Sequence, residues 1–151
     1  MQTTTNGVTL YVEESGVGYP LLLVHGFPLN HTIWTPLLPH LQENIRVILP
    51  DLRGHGLSEA STGVYTMELI ADDLAGILDV LEVSKCVLVG HSMGGYAALA
   101  FAKKYPQRLS GLGLVCTHAR SDTPERKNGR LQIAEDVRLH GVTALAEDMS
   151  E

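Results

Sequence analysis

The sequence has few cysteines, few aromatic side chains and few positive charges. Its two cysteines, Cys86 and Cys116, each lie within an apolar strand-like run, which is typical of buried free thiols. They show no disulfide framework, and no His, Cys, Asp or Glu residues have metal-ligand spacing, so we expect no metal ion. Lys and Arg number 11 against 17 Asp and Glu, giving a net charge of −6. This balance disfavours nucleic acid and anionic membranes as partners.

Long apolar segments are absent as well. No run approaches the length of a transmembrane helix, and the polar residues 1–10 lack the apolar centre of a signal peptide. We therefore expect a cytoplasmic protein with no membrane partner. The chain contains neither a P-loop nor a G-x-G-x-x-G motif after a strand, which disfavours nucleotide chemistry. Its 151 residues are enough for one substantial core.

What the chain does contain is a regular alternation of strand and helix patterns. Apolar runs predict strands at 8–12, 21–24, 46–49, 85–89 and 112–116. Helices are predicted after Thr35 and after Thr66, and from Met93 to Tyr105. The first of these helices is expected to bury Leu37, Leu38 and Leu41. Alternating strands and helices predict an α/β fold, with a mostly parallel, doubly wound sheet and helices on both faces.

The chain changes character beyond Ala119. Residues 125–139 form a polar helical pattern, and a second short amphipathic stretch runs to Met149. No strand pattern occurs in this part. We therefore divide the chain into a core at 1–119 and a helical region at 120–151.

The segment Gly90-His91-Ser92-Met93-Gly94 directly follows the predicted strand 85–89. A serine between two glycines at a strand-to-helix junction is how a fold presents a hydroxyl nucleophile, because larger flanking side chains would collide with the neighbouring strand or helix. The free N–H groups at the start of the helix can stabilise an oxyanion nearby. We call Gly90–Gly94 the elbow.

Two further motifs stand at the ends of predicted strands. His25-Gly26-Phe27-Pro28 follows strand 21–24, and residues 51–58, Asp-Leu-Arg-Gly-His-Gly-Leu-Ser, follow strand 46–49. Together with the elbow, these ordered motifs resemble the N-terminal part of a serine-type α/β-hydrolase. The resemblance extends through that family's sixth strand to the start of its helical cap. It implies an α/β-hydrolase sheet that is incomplete at the C-terminal side, with 120–151 as the start of the cap or lid.

The resemblance also implies roles for individual residues. Ser92 corresponds to the nucleophile, and the backbone N–H groups of Phe27 and Met93 correspond to the oxyanion hole. The supporting residues of the loop and elbow would be His25, Gly26, Gly90, His91 and Gly94. The implied activity is hydrolysis of small carboxylic esters or related acyl compounds through an acyl-enzyme, without a cofactor.

The sequence departs from the family in lacking the triad acid and histidine that are expected after the sixth strand. His118 is the in-chain rival for the general base, with Asp122 as a residue that could orient it, whereas Asp51 is expected to cap its own loop. The apolar run 112–116 would form an open sheet edge. We therefore expect a fragment whose missing C-terminal half, or a second chain, completes the sheet; a degenerate remnant is the third outcome.

Other functions stay open at this point. A non-catalytic binding or scaffold protein could keep the front of the fold. Phe27-Pro28 also occurs in relatives that are cofactor-free perhydrolases or C–C bond hydrolases. Serine at position 92, where dehalogenases and epoxide hydrolases carry aspartate, argues against those two classes. Substrate identity, reaction subtype and oligomeric state cannot be predicted from these residues.

Overall fold

The computed structural model describes residues 1–41 and 43–141. The chain divides into two compact units, Met1–Ala119 and Arg120–Glu151. We call the first the core unit and the second the helical unit. Whether the helical unit is the start of a cap stays a prediction.

Within the described residues, the core unit contains six strands and two α-helices. The strands are β1 (Gln2–Thr5), β2 (Val8–Ser15), β3 (Tyr19–Val24), β4 (Ile45–Pro50), β5 (Cys86–His91) and β6 (Leu109–Val115). The α-helices are α1 (Met67–Val80) and α2 (Met93–Lys104), and two 3₁₀ helices cover His31–His40 and Pro106–Arg108.

The six strands form one sheet in the order β1-β2-β4-β3-β5-β6. β2 runs antiparallel to both β1 and β4, whereas β4, β3, β5 and β6 are mutually parallel. β3 and β4 are covered on both faces, which is why they show continuous apolar runs instead of alternation. The predicted fold class is therefore confirmed.

Helices cover both faces of this sheet. On one face, α1 and α2 bury a large core with Leu22 and Val24 of β3. On the other, Leu23 packs with β4 residues under Trp34 and Leu38 of the first 3₁₀ helix. Neighbouring residues of β3 therefore point into opposite cores, as the pleat of a strand requires.

The helix predicted after Thr35 differs from the observed element. It is a 3₁₀ helix that begins at His31, and the Asn30 side chain caps it by accepting a hydrogen bond from the Thr32 N–H (2.9 Å). Pro36 and Pro39 both lie inside it, and each removes a backbone donor that an α-helix needs. The predicted burial of Leu37 is wrong, because that side chain is 39% exposed.

Other local predictions have mixed outcomes. Thr66 caps α1, since its hydroxyl accepts a hydrogen bond from the Leu69 N–H (3.1 Å). Cys86 is buried, and burial raises the pKa of its thiol to about 11. Cys116 is exposed and lies just beyond the end of β6, so the prediction of a second buried thiol is wrong.

The helical unit contains α3 (Pro124–His140), which Thr123 caps and which ends at Gly141. The amphipathic stretch predicted up to Met149 lies outside the described residues. None of the helices in residues 1–41 and 43–141 is long and apolar enough to cross a membrane.

β6 lies at the end of the sheet. Its side chains Leu112 and Leu114 are 41% and 45% exposed. Within the described part of the chain, no strand pairs with the outer edge of β6. The expected open edge is therefore present in this part.

Candidate active site

Ser92 alone makes the turn from β5 to α2. Its backbone has φ 51° and ψ −114°, in the left-handed half of the map that residues other than glycine rarely occupy. Three hydrogen bonds of 2.9 Å hold this conformation. The Ser92 N–H donates to the Val115 carbonyl, and the Ser92 carbonyl accepts from the Gly95 N–H and the Thr117 hydroxyl. The residue is therefore fixed from β6, from the segment after β6 and from α2.

The glycines of the elbow are sterically required. A Cβ atom on Gly90 would overlap the backbone of Gly94, and one on Gly94 would overlap the carbonyl groups of Val24 and His25. A Cβ on Gly26 would lie 2.9 Å from the Ser92 Cβ. These close approaches bring the loop after β3 directly against the elbow.

The two predicted oxyanion donors lie on these touching segments. Met93 is the first residue of α2, where a backbone N–H has no acceptor within the helix. Phe27 follows Gly26, and its ring is 49% exposed and stands edge-on to His55 at 5.9 Å between centroids. The part of these two N–H groups in an oxyanion hole stays a prediction.

His25 joins the loop after β3 to the loop after β4. Its ring is fully buried, and Nε2 accepts a hydrogen bond from the Leu52 N–H (3.0 Å). The proton therefore sits on Nδ1, which donates to the Gly26 carbonyl (2.9 Å). Burial lowers the pKa of His25 to about 4. A neutral ring with both nitrogens engaged suits bracing and does not suit proton transfer.

His91 contacts the loop after β3 through its ring. The Trp34 ring stands edge-on to it at 6.3 Å and 89°. A Cβ on Gly26 would lie 2.9 Å from the His91 Nδ1, so the imidazole packs against that glycine. Nδ1 is buried and makes no hydrogen bond within the described residues. His91 therefore packs against Gly26 and Trp34, and its role as a support of the elbow stays a prediction.

The sequence patterns did not single out His31, which the structure bonds to a buried carboxylate. Its backbone N–H and its ring Nδ1 both lie 2.7 Å from Oδ1 of Asp51, a fully buried carboxylate. Its Nε2 lies 3.2 Å from the Glu13 carboxylate. Asp51 also caps its own loop as predicted, because its Oδ2 accepts a hydrogen bond from the Leu57 N–H (2.8 Å). The available clue was an aspartate directly after a buried strand, which needs a partner.

A buried ion pair also holds the loop after β4. Arg53 donates to both carboxylate oxygens of Asp73 on α1, each at 2.7 Å, and to the Ser61 hydroxyl at 2.8 Å. The hydrogen bond to Asp73 raises the pKa of Arg53. This loop therefore has a rigid attachment to the helix that follows it.

The in-chain rivals for acid–base roles lie in separate units. The His118 ring packs against Tyr96 of α2, with centroids 5.7 Å apart. In the helical unit, Asp122 accepts a hydrogen bond from Arg130 at 2.7 Å. Their suggested roles as base and orienting residue stay predictions. Within residues 1–41 and 43–141, no group of three or more His, Cys, Asp and Glu side chains could hold a metal ion.

Comparison with known proteins places these motifs in context. Residues 19–139 match the family model described as the alpha/beta hydrolase fold. The chain is 37% identical over 113 residues to 2-hydroxymuconate semialdehyde hydrolase of Pseudomonas sp. (strain CF600), covering 72% of this chain and 40% of that protein.

Solved structures of other hydrolases also resemble this chain over nearly its whole length. A thermophilic esterase from Thermogutta terrifontis is 51% identical with a TM-score of 0.90, over 98% of this chain and 55% of that one. The enol-lactonase from Burkholderia xenovorans LB400 is 31% identical with a TM-score of 0.90, over 99% of this chain and 58% of that one. The chain thus spans roughly half the length of the proteins it matches. By family model and by structure, it belongs to the alpha/beta hydrolase fold family.

Proposed function

We propose that this chain is the nucleophile-bearing part of a serine hydrolase that cleaves small carboxylic esters or related acyl compounds. The observation that carries the proposal is the Ser92 backbone, which is held at φ 51° between β5 and α2 with Gly26 against its side chain. A strained conformation fixed by its surroundings is typical of functional positions. The 51% identity to a thermophilic esterase supports the ester as substrate.

The proposed reaction follows from this geometry. The Ser92 Oγ attacks the carbonyl carbon while a base removes its proton. The negative charge that develops on the carbonyl oxygen is stabilised by the Phe27 and Met93 N–H groups. Collapse breaks the ester C–O bond, and the leaving alkoxide takes up the proton. Water then attacks the resulting acyl-enzyme and releases the carboxylic acid.

The base and the acid that orients it are proposed to come from polypeptide beyond these 151 residues. His25 does not suit this role, because both ring nitrogens are engaged and burial lowers its pKa to about 4. His91 and His31 face packing partners and carboxylates, respectively. A small-molecule substrate and a cytoplasmic location remain part of the proposal.

A second candidate is hydrolysis of a C–C bond. The 37% identity to 2-hydroxymuconate semialdehyde hydrolase favours it. The same serine and oxyanion donors would then act on a ketone carbonyl. The perhydrolase hypothesis shares this machinery, whereas a scaffold protein would not use Ser92 at all.

Kinetics with matched substrates tests these alternatives. The purified chain, alone and together with the remaining polypeptide, is assayed with a series of short-chain nitrophenyl esters and with a vinylogous 1,5-diketone. We expect ester hydrolysis that Ser92→Ala abolishes and that Ser84→Ala, at an exposed loop serine, leaves unchanged. Faster turnover of the diketone would select the C–C bond hydrolase. Absence of both activities in the completed protein would contradict the enzyme hypothesis.

A further inference from the structure

The segment that carries Phe27 is held at both of its ends by the start of the loop that follows β4. We call residues 26–30, between His25 and His31, the oxyanion loop. Both flanking histidines are buried, at 0% and 8% exposure. His25 is bonded to Leu52 and His31 to Asp51, and these two partners directly follow β4.

The contacts form a clamp around the oxyanion loop. At one end, the Leu52 N–H donates to His25 Nε2 at 3.0 Å. At the other, one oxygen of Asp51 accepts from both the N–H and the ring Nδ1 of His31 at 2.7 Å. The other oxygen of Asp51 is held by the Leu57 N–H. The carboxylate is fully buried, so water does not compete for these short, charge-assisted bonds.

Inside the clamp the oxyanion loop has one internal bond, from the Leu29 N–H to the Gly26 carbonyl (2.9 Å). Its contact with the elbow is the close approach of Gly26 to Ser92 and His91. That approach limits how near the loop can come. The Phe27 N–H shares a planar peptide with the Gly26 carbonyl, which accepts hydrogen bonds from His25 Nδ1 and from the Leu29 N–H. Its direction therefore depends on His25 at one end of the loop and on the turn to Leu29, which His31 anchors, at the other.

We infer that Asp51 and His31 are positioning residues that aim the Phe27 N–H at the oxyanion formed on a Ser92 substrate. This inference rests on the proposed function. An oxyanion donor acts through its exact placement, and a displacement of about 1 Å can cost roughly a hundredfold in rate. Asp51 thus serves the reaction without touching the substrate.

The two ring contacts of His31 can be tested separately. An asparagine side chain places an amide N–H near the position of Nδ1, whereas a glutamine side chain places one near Nε2. His31→Asn therefore keeps the bond to Asp51 and loses the contact with Glu13. His31→Gln does the reverse. The two variants are matched in polarity and in the loss of the ring.

The experiment measures two quantities in the chain together with the polypeptide that is proposed to supply the base. Amide hydrogen exchange by NMR reports the loop through Leu29, and the rate of reaction with a fluorophosphonate reports Ser92. In His31→Gln and Asp51→Asn we expect about tenfold faster exchange at Leu29 and labelling slower by roughly 10-fold to 100-fold. His31→Asn is expected within about threefold of wild type. The control is Asp72→Asn, which removes a carboxylate of α1 that accepts a hydrogen bond from Tyr105. It should change neither quantity.

Three outcomes decide the matter. Equal effects of His31→Asn and His31→Gln, or exchange that rises equally in β3, β5 and α2, would overturn the inference and leave only a role in fold stability. The inference would also be overturned if wild-type Ser92 is labelled and His31→Gln is labelled at the same rate. Failure to label wild-type Ser92 would instead contradict the proposed function, while the exchange data would still report the clamp.

Discussion

At the scale of single residues, Ser92 shows how neighbouring segments stabilise an unfavourable conformation. A left-handed backbone at a residue other than glycine costs on the order of 1–3 kcal/mol. Here the Val115 carbonyl, the Thr117 hydroxyl and the Gly95 N–H all bond to this one residue. The side chain is thereby held at the carboxyl end of β5 independently of any substrate.

His25 makes stability depend on pH. Burial lowers its pKa from 6.5 to about 4. Between these values the unfolded chain binds a proton that the folded chain does not, so the free energy of unfolding falls as the pH drops from 6.5 towards 4. The expected loss from this group is roughly 3 kcal/mol, complete below the lower value.

NMR titration of the imidazole resonances checks this expectation directly. The His25 ring should stay neutral at pH 5.5 and titrate near 4. Urea unfolding at pH 7 and pH 4.5 should show lower stability at the acidic value. Titration of His25 at its ordinary pKa of 6.5 would show that the ring is not held as described.

The residue scale also shows what sequence can predict. The need for Gly90 and Gly94 beside Ser92 could be predicted, because the collisions are with residues near in sequence or at a strand end. The part played by His31 could not, since its partner Asp51 lies 20 positions away and no local pattern links them. Cys116 was mispredicted because β6 ends one residue before it.

At the scale of elements, two sequence patterns compete to set where the helix between β3 and β4 begins. Thr35-Pro36 looks like a helix start, but Asn30 caps the turn five residues earlier. Two prolines then prevent the α-helical hydrogen-bond pattern. In contrast, α1 has no internal proline, and its predicted cap at Thr66 is confirmed.

The attachment of α1 to the loop after β4 depends on a buried ion pair. Arg53 and Asp73 expose only 4% and 2% of their side chains. Asp73→Asn leaves the buried guanidinium without a full partner, and we expect a loss of about 3 kcal/mol in the free energy of unfolding. Urea denaturation followed by circular dichroism measures it.

A matched control lies on the same helix. Asp79 pairs with Arg108, but the Asp79 side chain is 67% exposed. Asp79→Asn should therefore cost less than about 1 kcal/mol. Equal losses in the free energy of unfolding in the two variants would show that burial does not strengthen the Arg53–Asp73 pair.

At the scale of the whole molecule, the fold class followed from the sequence because buried parallel strands leave continuous apolar runs. The strand order β4-β3-β5-β6 is not encoded in any single run, and it was not predicted. The role of the helical unit as the start of a cap is still a prediction. Its helix α3 buries none of its own residues.

The exposed edge of β6 predicts self-association of the purified chain. Leu112 and Leu114 are both more than 40% exposed, and no strand of the described residues pairs with the outer edge of β6. Sedimentation velocity in the micromolar to millimolar range should detect it. Leu114→Lys should raise the dissociation constant at least about tenfold, equal to about 1.4 kcal/mol. The same change at Leu131 on α3, which is 61% exposed, should have no effect. Wild type that stays monomeric at all concentrations would contradict the prediction.

The central claim, that Ser92 is a nucleophile, is tested most directly by peptide mass spectrometry after reaction with a fluorophosphonate. The measurement is made on the chain together with the polypeptide that is proposed to supply the base and its acid. We predict a single phosphonyl adduct on the peptide that contains Ser92, lost in Ser92→Ala and unchanged in Ser84→Ala. Absence of that adduct, or equal labelling of Ser84, would contradict the account.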